Sequence, residues 1–146
     1  MDQALHMLMI PAGDIAALRR FYLEGLGWSP WGPNMPGSFM MRAGTLVIVF
    51  VPRDYLAAES GLDLGERSRA LNAVFVPEKA DVDAQMDRAI AAGAKVTSPI
   101  RDRDGGLYSG YFADPEGNGW ELVWSPAMRP GADGGLVLSL PPSPGS

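Results

Sequence analysis

A chain of 146 residues, 47% hydrophobic and 20% charged, is long enough to bury a core unaided. Its lack of cysteine excludes a disulfide framework, a thiolate nucleophile and a zinc finger. The net charge is −5, with only two lysines, Lys79 and Lys95, among twelve basic residues; no basic stripe exists to track phosphate backbones, which excludes nucleic acid as a partner.

The first residues, Met1-Asp2-Gln3-Ala4, lack the basic region and apolar run of a signal peptide. No apolar run approaches the ~20 residues of a membrane span. A soluble protein of the reducing cytoplasm, with no membrane partner, is therefore expected.

Residues 5–10 read as an apolar strand with His6 set among methionines, closed by Pro11-Ala12-Gly13. A helix follows, with Asp14 as N-cap, Ile15, Leu18, Phe21, Tyr22 and Leu26 on one face, and Gly25 and Gly27 as stops. Residues 28–36, rich in Pro, Gly and Trp, suit an irregular strand or loop. Residues 38–42 and 45–51 read as a hairpin turning at Ala43-Gly44. Residues 52–60 read as a short helix and 61–69 as a linker.

The pattern then restarts. Residues 70–76 repeat the apolar strand and end in Pro77; Asp81 caps a helix carrying Val82, Met86, Ala89 and Ile90; Gly93 ends it. Pro77 lies 66 residues after Pro11, and Asp81 lies 67 after Asp14, which points to an internal duplication. Residues 94–97, 107–113 and 119–124 supply three more strands, so each half spells βαβββ. Residues 129–135 read as a loop, 136–140 as an edge strand, and 141–146 as a frayed end.

Between the last two of those strands, Asp114-Pro115-Glu116-Gly117-Asn118 forms a specified turn: Pro115 presets φ, Asp114 accepts from backbone N–H groups ahead, and Gly117 and Asn118 tolerate positive φ. Beyond it Trp120, Leu122 and Trp124 alternate onto one face while Glu121 and Val123 take the other. A carboxylate on so apolar a strand requires pairing, a hydrogen bond or a cation, unless the strand is an edge whose second face is wet.

The stretches Asp14-Ile15…Phe21-Tyr22…Leu26-Gly27-Trp28, Val82-Asp83-Ala84…Ala91-Ala92-Gly93-Ala94 and Gly110-Tyr111-Phe112-Ala113-Asp114-Pro115-Glu116-Gly117-Asn118…Trp120-Glu121-Leu122 together resemble the vicinal oxygen chelate superfamily, which includes glyoxalase I, bleomycin-resistance proteins and extradiol dioxygenases. The resemblance runs over about residues 5–125. It implies an α+β fold of two tandem βαβββ modules, about 4–60 and 70–126, forming an open barrel-like cleft within a single domain of residues 1–146, with a C-terminal extension over 127–146. It further implies a homodimer that covers sheet edges, and a cleft for a small molecule and often a divalent metal.

Enzymes of this superfamily draw metal ligands from the first and last strands of each module. Here Glu121 matches the ligand of the last strand. Met7 stands at the first ligand position, with His6 one residue away and on the other face unless a bulge shifts the register. The first strand of the second module offers Asn72 or Ala73, and residues 46–50 offer no ligand. Glu121 and His6 are thus the candidate metal ligands, and no catalytic metal cofactor is expected.

Two functional readings follow. One is a binding protein in the bleomycin-resistance manner, sequestering an apolar or aromatic molecule in the inter-module cleft against Met7, Met9, Met41, Asn72, Tyr111 and Val123, with Trp28, Trp31, Phe39 and Tyr108 as further aromatic candidates for an apolar pocket. The other is an enzyme of the glyoxalase or dioxygenase type, a lyase, isomerase or dioxygenase, using Glu121 as metal ligand or general acid/base. No nucleophilic triad is visible, and Asp102-Arg103-Asp104 reads as a charged turn.

Overall fold

The computed structural model describes residues 1, 3, 5–33, 35–66 and 70–139. Strand β1 (Met7–Ala12) leads into α1 (Ile15–Arg19), whose first turn is capped as the sequence predicts: the Ala17 N–H donates to Asp14 Oδ1 at 2.9 Å. The helix does not stay regular. It widens into a π-helical turn over Arg20–Gly25, with Leu26 N–H donating to Phe21 O at 2.9 Å. The wider turn lets the consecutive Phe21 and Tyr22 both bury, at 1% and 0% exposure. Gly27, at positive φ, makes the stop, whereas Gly25 stays within the helical turn and, lacking a Cβ, lets Ala92 approach closely.

Strands β2 (Phe39–Ala43) and β3 (Leu46–Pro52) form the predicted hairpin, and α2 (Arg53–Ser60) follows. The second half comprises β4 (Leu71–Phe75), α3 (Lys79–Ala92), β5 (Lys95–Asp102), β6 (Tyr108–Ala113) and β7 (Gly119–Trp124). Helix α3 starts earlier than predicted: Glu78 takes the cap, and Asp81 instead accepts from the Glu78 N–H at 3.0 Å. Strand β5 runs past its predicted end at residue 97, with register shifts on either side of Ser98.

The duplication is visible in the pairing. One sheet has the order β1-β3-β2, with β1 parallel to β3; the other has β4-β7-β6-β5, with β4 parallel to β7. The place that β5 takes beside β6 is held in the first half by a single bridge, Pro30 to Met41, because Pro30, Pro33 and Pro36 cannot sustain a ladder. One core joins both halves: Ile10, Phe50, Phe21 and Tyr22 pack with Val82, Met86, Phe112, Trp120 and Leu122. Each sheet therefore turns one face to this shared core and the other away from it.

The C-terminal extension departs from expectation. Residues 129–130, expected as the start of a loop, belong to β8 (Met128–Pro130), which pairs with β9 (Leu136–Leu138) as a separate two-stranded sheet. The predicted strand thus finds its partner within the extension rather than at the edge of either larger sheet. The frayed end expected over residues 141–146 lies outside the described residues.

Candidate functional site

The Asp114 turn sews the halves together. Asp114 is buried, and its carboxylate accepts from the backbone N–H groups of Glu116 and Asn118 (both 2.9 Å), from Asn118 Nδ2 (2.7 Å) and from the Tyr22 hydroxyl (2.8 Å). Trp120 Nε1 in turn donates to the Tyr22 oxygen at 2.9 Å. Burial above all, then the Asp114 charge, pushes the Tyr22 phenol far above its ordinary range, so it remains a donor. Glu116 reaches to the start of α1 and accepts from Gly13 N at 2.8 Å and from Asp14 N. These bonds set the position of β7.

On β7, Trp120 and Leu122 enter the core and Glu121 and Val123 take the outer face, as the alternation predicts. Across the ladders Glu121 is flanked by Tyr111 and Ala73, and Val123 by Ser109 and Phe75. Hydrogen bonding toward Glu121 is the main cause that raises the Tyr111 phenol. Arg103 lies 4.9 Å over the Tyr111 ring, with Nε donating to Ser109 Oγ at 2.8 Å and Nη2 to Ser98 Oγ and Pro99 O, both at 3.1 Å. A carboxylate, a phenol and a guanidinium thus share one sheet face.

The other candidates do not gather there. Asn72 pairs with Trp120 and therefore takes the core side, across the sheet from Glu121. Met41 pairs with Ile48 and is 0% exposed in the core; its neighbour Met40 pairs with Val49 and shares the outer face of the first sheet with Met7 and Met9. The expected shared cleft for these residues is therefore divided by strand parity. His6 precedes β1 and is exposed. Among the described residues no group of three or more His, Asp or Glu side chains is arranged to hold a metal. The ladder neighbours of Glu121 are an alanine and a tyrosine, and Met7 faces Val47. This donor set does not fit the metal centre that the superfamily's enzymes imply.

A groove of about 960 Å³ opens between the two halves along the free edge of β4, lined by successive residues from Leu71 to Phe75 and so by both faces of that strand. Leu8 and Ile48 line it from the first sheet, Asn72 and Val74 from the second, and Trp28, Trp31 and Trp120 supply aromatic wall. Arg42, stacked over Trp31 at 5.0 Å, and Asn72 are polar side chains of this lining. The β8–β9 hairpin closes one side through Pro130, Gly134 and Leu136. The sequence named Trp28, Trp31 and Asn72, together with Phe39 and Tyr108, which do not line the groove, and it missed this wall, since nothing in residues 128–136 signals contact with a distant groove. Arg103 was missed for another reason: its neighbours Asp102 and Asp104 make it look like part of a solvated turn.

Two halves of corresponding strand order, β1-β3-β2 extended by the Pro30 bridge and β4-β7-β6-β5, around an open groove define a glyoxalase-type architecture. The family model for the Glyoxalase/Bleomycin resistance protein/Dioxygenase superfamily matches residues 4–122, and the chain belongs to this family. It is similar to a glyoxalase-related enzyme from Fulvimarina pelagi, with a TM-score of 0.86 and 29% identity over 94% of this chain and 99% of that one. A glyoxalase/bleomycin resistance protein/dioxygenase family enzyme from Burkholderia phytofirmans PsJN gives 0.72 at 24% identity, covering 81% of this chain and 95% of that one. A lactoylglutathione lyase from Agrobacterium tumefaciens gives 0.65 at 21%, covering 84% and 94%. The latter two likenesses bear on the fold alone. No curated protein matches the chain.

Proposed function

We propose that this protein binds an apolar or aromatic small molecule in the groove between its modules, without a catalytic metal. The observation that carries the reading is a concavity of about 960 Å³ walled by three tryptophans and aliphatic side chains, with Arg42 and Asn72 available to orient a ligand. Such a lining favours planar molecules by burial and stacking. A thermal-shift screen with planar aromatic compounds tests it, because a ligand of the folded state raises the melting temperature by mass action. Hits whose affinity falls on Trp31→Ala support the reading. The absence of any binder tighter than about 1 mM, or hits indifferent to both Trp31→Ala and Asn72→Ala, would contradict it. Metal analysis should find no stoichiometric Fe, Mn, Ni or Zn; about one equivalent, lost on Glu121→Ala, would reverse that part.

A second reading is favoured by the Glu121–Tyr111 pair: an enzyme in which Glu121 moves a proton as general acid or base, of the lyase, isomerase or dioxygenase types known in the superfamily. Glu121→Gln should then abolish turnover while leaving the melting temperature nearly unchanged. A purely structural glutamate would give the opposite result.

A homodimer fits either reading. Met9 and Leu71 are 55% and 67% exposed on the sheet faces turned from the core, and a second copy would cover them. Among the described residues no helix is long and apolar enough to cross a membrane, and a cytoplasmic setting accords with the cysteine-free sequence.

A further inference from the structure

We infer that the free backbone edge of β4 reads the groove's ligand, and that this ligand is a planar heteroaromatic molecule carrying an N–H donor beside an acceptor on its rim. The inference rests on the groove being the binding site, as proposed above. Strand β4 has a single ladder neighbour, β7. The Val76 N–H donates to Val123 O at 2.9 Å, which sets the parity of the edge. The backbone groups of Asn72 and Val74 turn the same way, toward β7, and those of Leu71, Ala73 and Phe75 turn outward. Every residue of β4 lines the groove, whereas Leu8 is the only β1 residue to do so among the described residues. The outward edge of β4 therefore opens into the groove.

Edge strands usually guard such groups with a lysine, a proline or a bulge, and Leu71-Asn72-Ala73-Val74-Phe75 has none of these. Along the edge the Ala73 carbonyl lies between two N–H groups, its own and that of Phe75, so acceptor and donor stand side by side in the plane of the sheet. Side chains stand roughly perpendicular to that plane. Asn72 and Val74 rise on the core side, as do Trp28 and Trp120, while Leu71 and Phe75 take the opposite side. A flat ring lying in continuation of the sheet thus meets walls above and below, and its rim meets the strand. Ala73, with only a methyl group, leaves that rim a close approach. The tryptophans by themselves ask only that the ligand be flat. The edge asks for more: a ring without a donor would cover the Ala73 carbonyl, exclude its water and leave it unpaired, which selects against such a ring.

The test compares 2-quinolone with coumarin, which has the same bicyclic shape with a ring oxygen in place of the N–H, by calorimetric titration. The wild type should prefer the quinolone by about tenfold. Trp31→Ala should weaken both probes, and Asn72→Ala should keep the ratio between them, because a backbone carbonyl and not the Asn72 carboxamide takes the proton. No binding of the quinolone, equal affinities in the wild type, or a ratio lost with Asn72→Ala would overturn the inference. The groove reading survives equal affinities as long as Trp31→Ala weakens both probes, and it fails if both are indifferent to Trp31→Ala and Asn72→Ala. Amide hydrogen exchange followed by magnetic resonance locates the contact in the wild type. Saturating 2-quinolone should slow exchange at Ala73 or Phe75 by about tenfold, as one of these N–H groups donates to its carbonyl, with far less change at Asn72 and Val74, which β7 already engages. Slowing confined to Asn72 and Val74, or none at all, would also overturn the inference.

Discussion

Tyr22 is the residue on which the junction between the halves turns. Its hydroxyl donates to Asp114 and accepts from Trp120, so Tyr22→Phe leaves two buried polar groups short of a partner and should cost about 1–3 kcal/mol. Its titration gives a second, signed expectation. The folded phenol is raised far above the 10.0 of an exposed tyrosine, so its contribution to stability is complete below pH 10 and falls as pH rises further, where the unfolded chain loses its proton first. Urea midpoints measured at about pH 8 and about pH 11 should therefore separate more for the wild type than for Tyr22→Phe. An equal separation would mean that Tyr22 does not hold its proton in the fold.

At this scale the sequence was partly legible. Alternation on β7 placed Glu121 opposite Trp120 because a strand side-chain period of two tolerates no ambiguity once the core face is known. The rule gives no side for Met41, a pocket candidate that lies in the core, since in Phe39-Met40-Met41 the run is apolar on both faces and parity has no polar residue to anchor it. The Asp114 turn was readable as a turn, but its contacts to Tyr22 and to the start of α1 span 92 and 102 residues in sequence, which no local pattern encodes.

Among the elements, those defined by local chemistry appeared as expected: α1 with its Asp14 cap, the β2–β3 hairpin, and α3 ending at Gly93. Elements shaped by packing differed. The π-helical turn exists because Phe21 and Tyr22 both seek the core, and the β8–β9 hairpin exists because residues 128–138 meet the β2–β3 turn. Gly44 and Gly134 touch there: a Cβ on Gly134 would sit 2.7 Å from Gly44 Cα, and Gly134 itself has φ +83°. Gly134→Val should consequently lift the hairpin from the groove at a cost of about 1–3 kcal/mol. It should weaken a groove ligand more than it lowers the melting temperature, because the hairpin makes one wall of the groove and contributes nothing to the buried core cluster. A ligand affinity untouched by Gly134→Val would remove the hairpin from the site.

For the whole molecule, the shared core and the Tyr22–Asp114 bonds couple the halves, so unfolding should be one transition, with tryptophan emission and far-ultraviolet dichroism changing together. Two separated transitions would show modules that fold independently. The recurrence of 66 to 67 residues makes the duplicated architecture readable in the sequence, whereas the groove is not, because three stretches distant in sequence meet to form it.

The most direct measurement of the central claim uses Trp124→Phe. The chain has four tryptophans, and Trp28, Trp31 and Trp120 line the groove, so in this variant every remaining indole borders the proposed site. An aromatic ligand identified by thermal shift should quench or shift the emission of Trp124→Phe with the same dissociation constant as in the wild type. A ligand that stabilises the protein yet leaves the emission of Trp124→Phe unchanged would place binding elsewhere and contradict the account.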